Sequence, residues 1–170
     1  MWEAPLRMEL HVAQLNVARF KLPMEHPDMA GFVAELDPIN AIADEAPGFV
    51  WRLQTEEGNA TSIHAFEDDL MLVNMSVWES VEALADFVYR SGHIEVMRRR
   101  REWAERMPEA YMVLWWVPAG ELPTVDEAKD RLERLREHGP TPRAFTFKKR
   151  FSPDEAAVAS PEDERNFCPA

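Results

Sequence analysis

Between Leu70 and Trp78 the chain alternates in a way that specifies a strand with two unlike faces. Met71, Val73, Met75 and Val77 fall on one side, and Leu72, Asn74, Ser76 and Trp78 on the other. The first face is wholly apolar and has to meet helices. The second mixes an amide and a hydroxyl with apolar groups, which suits a partly wet cavity or an interface better than a dry core, since an unpaired buried polar group costs ~1–3 kcal/mol. Whatever sheet forms around this strand must find different partners for its two sides.

Further strands follow the same logic. From Val12 to Phe20, Ala13, Leu15 and Val17 face one way and Gln14, Asn16 and Ala18 the other, and Phe49, Trp51 and Leu53 alternate with Val50, Arg52 and Gln54. Tyr111 to Val117 is a dense aromatic and aliphatic run that reads as a buried central strand. Thr61 to Phe66 fits either a short strand or a loop, and Phe145, Phe147 and Phe151 suggest a last edge strand.

Helical patterning lies between these runs. A stripe of Phe32, Val33 and Leu36 begins near Met29; Asp37-Pro38 reads as an N-cap and first helical residue, predicting a break and a restart toward Ile42 and Ala43, before Pro47-Gly48 ends the segment. Ser80 caps a helix with Leu84, Phe87 and Val88 inward, and Ser91-Gly92 bends it before a second run from His93 to Met107. Thr124 and Glu127 form a capping box that opens a helix with Ala128, Leu132 and Leu135 inward and Gly139-Pro140 as its stop.

The order strand, helix, strand, strand, helix, strand, with one extra helix behind it, is the split βαβ pattern of an α+β ferredoxin-like domain, with the helices on one face of the sheet. Residues 10–150 hold it, and residues 151–170 form an acidic, Pro-containing tail that is expected to be flexible. An open apolar sheet face is unfavourable in water, so the expectation is a homodimer closed face to face around a barrel-like space lined by Gln14, Asn16, Asn74, Ser76 and Trp78.

Composition removes several function classes. A formal net charge of -12 over 170 residues argues against nucleic acid, whose phosphates need a basic face. The run Arg98 to Arg101 reads as a solvated helix face paired with Glu95, Glu102 and Glu105. Cys168 alone gives neither a disulfide nor a zinc cluster and suits a cytoplasmic protein, while no window holds the roughly 18 apolar residues of a membrane span. The histidines at 11, 26, 64, 93 and 138 lack ligand-type spacing, so no metal is expected. There is no Gly-rich phosphate loop and no nucleophile elbow.

Five strings, His11 to Arg19, Pro47 to Gln54, Val73 to Ser80, Phe87 to His93 and Val113 to Gly120, resemble the bacterial DUF3291 family in order and composition, over Leu10 to Lys149. That resemblance implies the dimeric α/β barrel superfamily and no particular activity. More distantly, Ser76-Val-Trp-Glu-Ser80 followed by a helix is similar to the antibiotic-biosynthesis monooxygenases of that superfamily, in some of which an Asn and a Trp on this strand line the pocket where an aromatic polyphenol is oxidised. Asn74 and Trp78 match that spacing.

The chemistry so implied is oxidation without a cofactor: the substrate, as a phenolate or enolate, supplies electrons to oxygen, and the protein binds a flat aromatic, stabilises an anion and excludes water. Asn74 would donate to the anion, Trp51 and Trp78 would flank the ring, Arg52 would offset charge, and His64 or His93 would take the proton. Gln14, Asn16 and Ser76 would contact the ligand. Trp51 and Arg52 are strand neighbours and cannot both face it. Two readings compete: a hydrophobic-ligand or haem-binding protein without turnover, with Asn16 and His93 as the haem residues, and a dimeric structural module in which Asn74, Trp78 and Trp115-Trp116 serve packing.

Overall fold

The computed structural model describes residues 7–158, apart from 57 and 62. The apolar alternation places β1 (Leu10–Arg19) at the centre of a four-stranded sheet beside β3 (Met71–Trp78), antiparallel, with Gln14 opposite Ser76 and Asn16 opposite Asn74. β2 (Phe49–Arg52) pairs antiparallel with the far side of β3, and β4 (Met112–Pro118) with the far side of β1, giving the order β2-β3-β1-β4.

The helices are α1 (Ala30–Glu45), α2 (Val81–Arg90), α3 (His93–Arg99), α4 (Val125–His138) and the short α5 (Pro153–Val158). They do not lie on one face, as the sequence pattern suggested. α4 sets Ala128, Leu132 and Leu135 against Ala13, Leu15, Val17, Val73, Met75, Val77, Val113 and Trp115, all buried. The opposite face carries α1, α2 and α3, with Leu84 and Val88 packed toward Val12, Trp78 and Leu114. Cover of the wholly apolar side of β3 and β1 is as expected, α4 taking it out of water at ~1.5–3 kcal/mol for each fully buried side chain; the departure is on the mixed side, whose own apolar residues Val12, Trp78 and Leu114 are buried under α2. Among the described residues both faces are thus covered by the chain itself: the mixed face that was expected to stay open toward a second copy carries α1 to α3.

Three local expectations change in the same light. α1 runs unbroken through Pro38, so Asp37 is not a cap. The missing Pro38 N–H and its ring clash cost about 3 kcal/mol; Phe32 and Leu36 before it and Ile39 and Ala43 after it keep both halves on the same cavity wall. β4 is an edge strand, not a central one; its apolar density comes from cover on both faces, and Phe145 exchanges two 2.8 Å backbone bonds with Leu114 to close the edge. No longer strand forms there among the described residues, and 61–66 has none either.

The caps behave as read, with one difference. Ser80 Oγ accepts from Ala83 N at 3.1 Å and Thr124 Oγ1 from Glu127 N at 3.1 Å. The Glu127 carboxylate, rather than completing the box, accepts from Trp115 Nε1 at 3.2 Å. Gly48, with φ +80°, lets β2 start where a Cβ would stand 2.6 Å from that of Ala83. At the tail, Phe151 is buried and its carbonyl accepts from Trp116 Nε1 at 3.0 Å; residues 159–170, Cys168 with them, lie outside the described residues.

Candidate functional site

The mixed face of the sheet and helices α1 to α3 do not close on each other. They leave a cavity of about 200 Å³ with an adjoining lobe of about 130 Å³, at the small end of the roughly 300–1,000 Å³ usual for ligand sites. Its floor is β1 and β3; its walls are Phe32, Leu36 and Asn40 of α1, Leu84 and Phe87 of α2, and His93, Val96 and Met97 of α3. Trp103 closes one end with Phe20 and Phe32, whose ring centroids lie 4.7 Å apart.

The floor is polar because strand register brings four polar side chains side by side. Gln14, buried, donates from Nε2 to Asn74 Oδ1 at 2.8 Å and to Ser76 Oγ at 3.0 Å, and Trp78 Nε1 donates to the same Ser76 Oγ at 2.8 Å. Both protons of the Gln14 amide are therefore used, as is the indole N–H. The Asn74 NH2 is left over, and Asn74 is exposed although it sits in an interior strand. Asn16, directly across from it, makes no side-chain bond among the described residues. Two amides thus offer hydrogen bonds to an apolar-walled space.

His93 stands on the wall. Its position follows from the turn between α2 and α3, where Ser91 Oγ bonds back to the Phe87 carbonyl and receives the His93 N–H at 3.2 Å. Nδ1 lies 3.4 Å from the Val88 carbonyl, which accepts its proton and leaves Nε2 as a lone-pair nitrogen. Burial holds the ring below the ordinary histidine value, against the opposing effect of that bond. Trp78, Phe87 and His93 form an aromatic row, Phe87 stacked on Trp78 at 5.1 Å and tilted on His93 at 5.0 Å.

Arg52 also lines the space, but its charge is spent: Nε and Nη2 hold Asp44 at 2.7 and 3.2 Å, and Nη1 the Gly58 carbonyl at 2.7 Å. Among the described residues no three His, Cys, Asp or Glu side chains converge as a metal site, and no helix is long and apolar enough to cross a membrane.

Residues 11–161 match the family model described as a domain of unknown function, DUF3291. The chain belongs to the DUF3291 family. A crystal structure of NE2512, a protein of unknown function from Nitrosomonas europaea, is similar to this DUF3291 chain over 69% of its length and 98% of the other, with 12% identity and a TM-score of 0.42. No curated protein matches.

In this DUF3291 domain Gln14, Asn16, Asn74, Ser76, Trp78 and His93 come together at one cavity. Two expected site residues do not. Trp51 points to the opposite face and packs into the α4 side, as its alternation with Arg52 requires. His64 is exposed, 3.8 Å from Asp69. Asn40, Phe87 and Trp103 were not singled out from the sequence; Phe87 showed as an inward helix residue, while nothing marked Trp103 as part of a site.

Proposed function

We propose that this domain binds a small, flat, largely apolar molecule in the cavity and removes a proton from it, as a cofactor-independent oxygenase does. The observation that carries the reading is the unpaired amide of Asn16 beside the free NH2 of Asn74, lining the same largely apolar cavity as a His93 whose Nδ1 is turned to the Val88 carbonyl. His93 takes a proton from an acidic ring CH2 or phenol, and the two amides hold the oxyanion that results, each bond counting for more once the bound ring displaces water. In the oxygenase reaction the anion gives its electrons to O2: a CH2 becomes C=O with one oxygen atom, and the other leaves as water. The strand order, with α1 and α2 together on one face, supports placing the domain among ferredoxin-like folds of the monooxygenase type. All of the residues named in the reading come from one chain.

Haem has one supporting observation, since a His whose Nδ1–H meets a carbonyl has the geometry of a metal-facing Nε2. Beyond His93 nothing in the cavity lining favours haem, and we do not propose it.

The test uses 2-tetralone, a bicyclic ketone with an acidic CH2. Quenching of tryptophan fluorescence reports binding, and an oxygen electrode reports one O2 consumed per dione formed. Binding with oxygen uptake that Asn74→Leu removes supports the full reading. Binding without uptake leaves a ligand-binding protein, and no binding at millimolar concentration removes the site.

A further inference from the structure

The sequence groups Arg98, Arg99, Arg100 and Arg101 as one solvated face, and the structure separates them. Arg98 donates to Glu95 at 2.6 Å and Arg99 to Glu102 at 3.1 Å, while Arg98, Arg99 and Arg101 are exposed. Glu105, the third expected partner, turns instead to Arg19 at 2.7 Å. Arg100 is half-buried, lines the cavity, and has no carboxylate partner among the described residues. Its guanidinium lies over the Tyr111 ring, 4.5 Å from the centroid. Stacking fixes the plane of a guanidinium while leaving its N–H edge free, which is the geometry that takes a carboxylate through two parallel bonds.

The surroundings make an unspent cation here informative. The chain carries a formal net charge of -12 with carboxylates in excess, and the other cation on the cavity wall, Arg52, is held by Asp44. A half-buried positive charge that takes none of the available acids is placed to meet an anion from outside.

We propose that the cavity takes a small aromatic carboxylate, its ring among Phe32, Leu36 and Phe87 and its anionic group on the Arg100 guanidinium. This rests on the cavity being a ligand site and goes beyond it by naming the charge of the ligand. The Asn16 and Asn74 amides then hold a carbonyl or hydroxyl at the other end of the ring, so the molecule is fixed at both ends.

The experiment compares 2-naphthoate with 2-naphthamide, which share a ring system and differ in charge, by fluorescence titration of the full chain at low salt. Naphthoate is expected to bind at least tenfold more tightly. Arg100→Gln should erase that preference while leaving naphthamide affinity within about threefold, a pattern that also shows the variant has folded. Arg98→Gln, which removes an equal charge from the exposed part of the run, should preserve it. Equal binding of both compounds to the unaltered chain, or a preference that survives Arg100→Gln, overturns the proposal while leaving the cavity as a ligand site. If neither compound binds, both readings fall.

Discussion

The two faces of the sheet start from the same strands and end in opposite environments. On one, Leu15, Met75, Val77 and Trp115 are 1% exposed or less under α4. On the other, one residue along the chain from Met75, Asn74 is exposed to a cavity that three helices line without filling. Helix cover is common to both, so cover alone does not make a core. What differs is chemistry: the apolar side has nothing that water could satisfy, whereas Gln14, Asn16, Asn74 and Ser76 would each need a partner in a dry contact. α1 to α3 stand off from those residues, and the cavity is the consequence.

Exchanging the character of neighbouring residues should break this comparison, with the largest effect on the dry side. Met75→Asn removes a fully packed side chain and leaves an amide without a partner, an expected loss of about 4 kcal/mol or more. That is a large part of the roughly 5–15 kcal/mol that holds a domain together. Urea denaturation followed by circular dichroism measures it; a loss below about 1.5 kcal/mol would mean that water reaches the α4 side.

The mirror change, Asn74→Leu, should leave stability within about 1 kcal/mol, because Gln14 keeps its bond to Ser76 and the new side chain faces open space. Binding of 2-tetralone should weaken tenfold or more, about 1.4 kcal/mol. Stability lost with binding retained would turn Asn74 into a packing residue.

Trp78 tests how far the wet character extends. It lines the smaller lobe, yet it is fully buried and its N–H is taken by Ser76. Trp78→Phe should lower stability by about 1 kcal/mol through the lost bond and change ligand affinity less than threefold. A thermal melt and a binding titration on the same sample separate the two; a tenfold change in affinity would give the indole a direct contact.

Much of this was legible in the residues, and the limits were physical. Period-two alternation located β1 to β3 and separated Gln14, Asn16, Asn74 and Ser76 from the apolar face, because side-chain direction in a strand is set by the backbone. Alternation does not say which helix meets which face: the apolar side meets a helix as expected, α4, whereas the mixed side that was expected to stay open lies under α1 to α3. Pro38 carried a local signal that packing on both sides of it overrode. Arg100 looked like its neighbours, since the fate of each arginine in a run depends on its angle around α3 and the turn that follows, and only the folded chain decides which of them meets a carboxylate.

The smallest expected effect concerns His93, where the wet face holds a titratable ring. Burial lowers its value in the folded chain below the ordinary value of about 6.5 that it regains on unfolding. Between those two values the unfolded chain binds more protons, so stability rises with pH there. The contribution is fully present above about pH 6.5 and is lost as pH falls through the folded value. Arg52 of β2 and Arg100 after α3 line the same cavity and stay charged throughout, and Glu35 of α1 borders the smaller lobe. Melting His93→Gln beside the unaltered chain between about pH 5 and 8 isolates the ring. The difference in stability should be flat above neutrality, with the unaltered chain losing ground below it. A difference that stays flat across the range would mean that His93 is hydrated and titrates as it does in the unfolded chain, and the cavity wall at α3 would then be open to solvent.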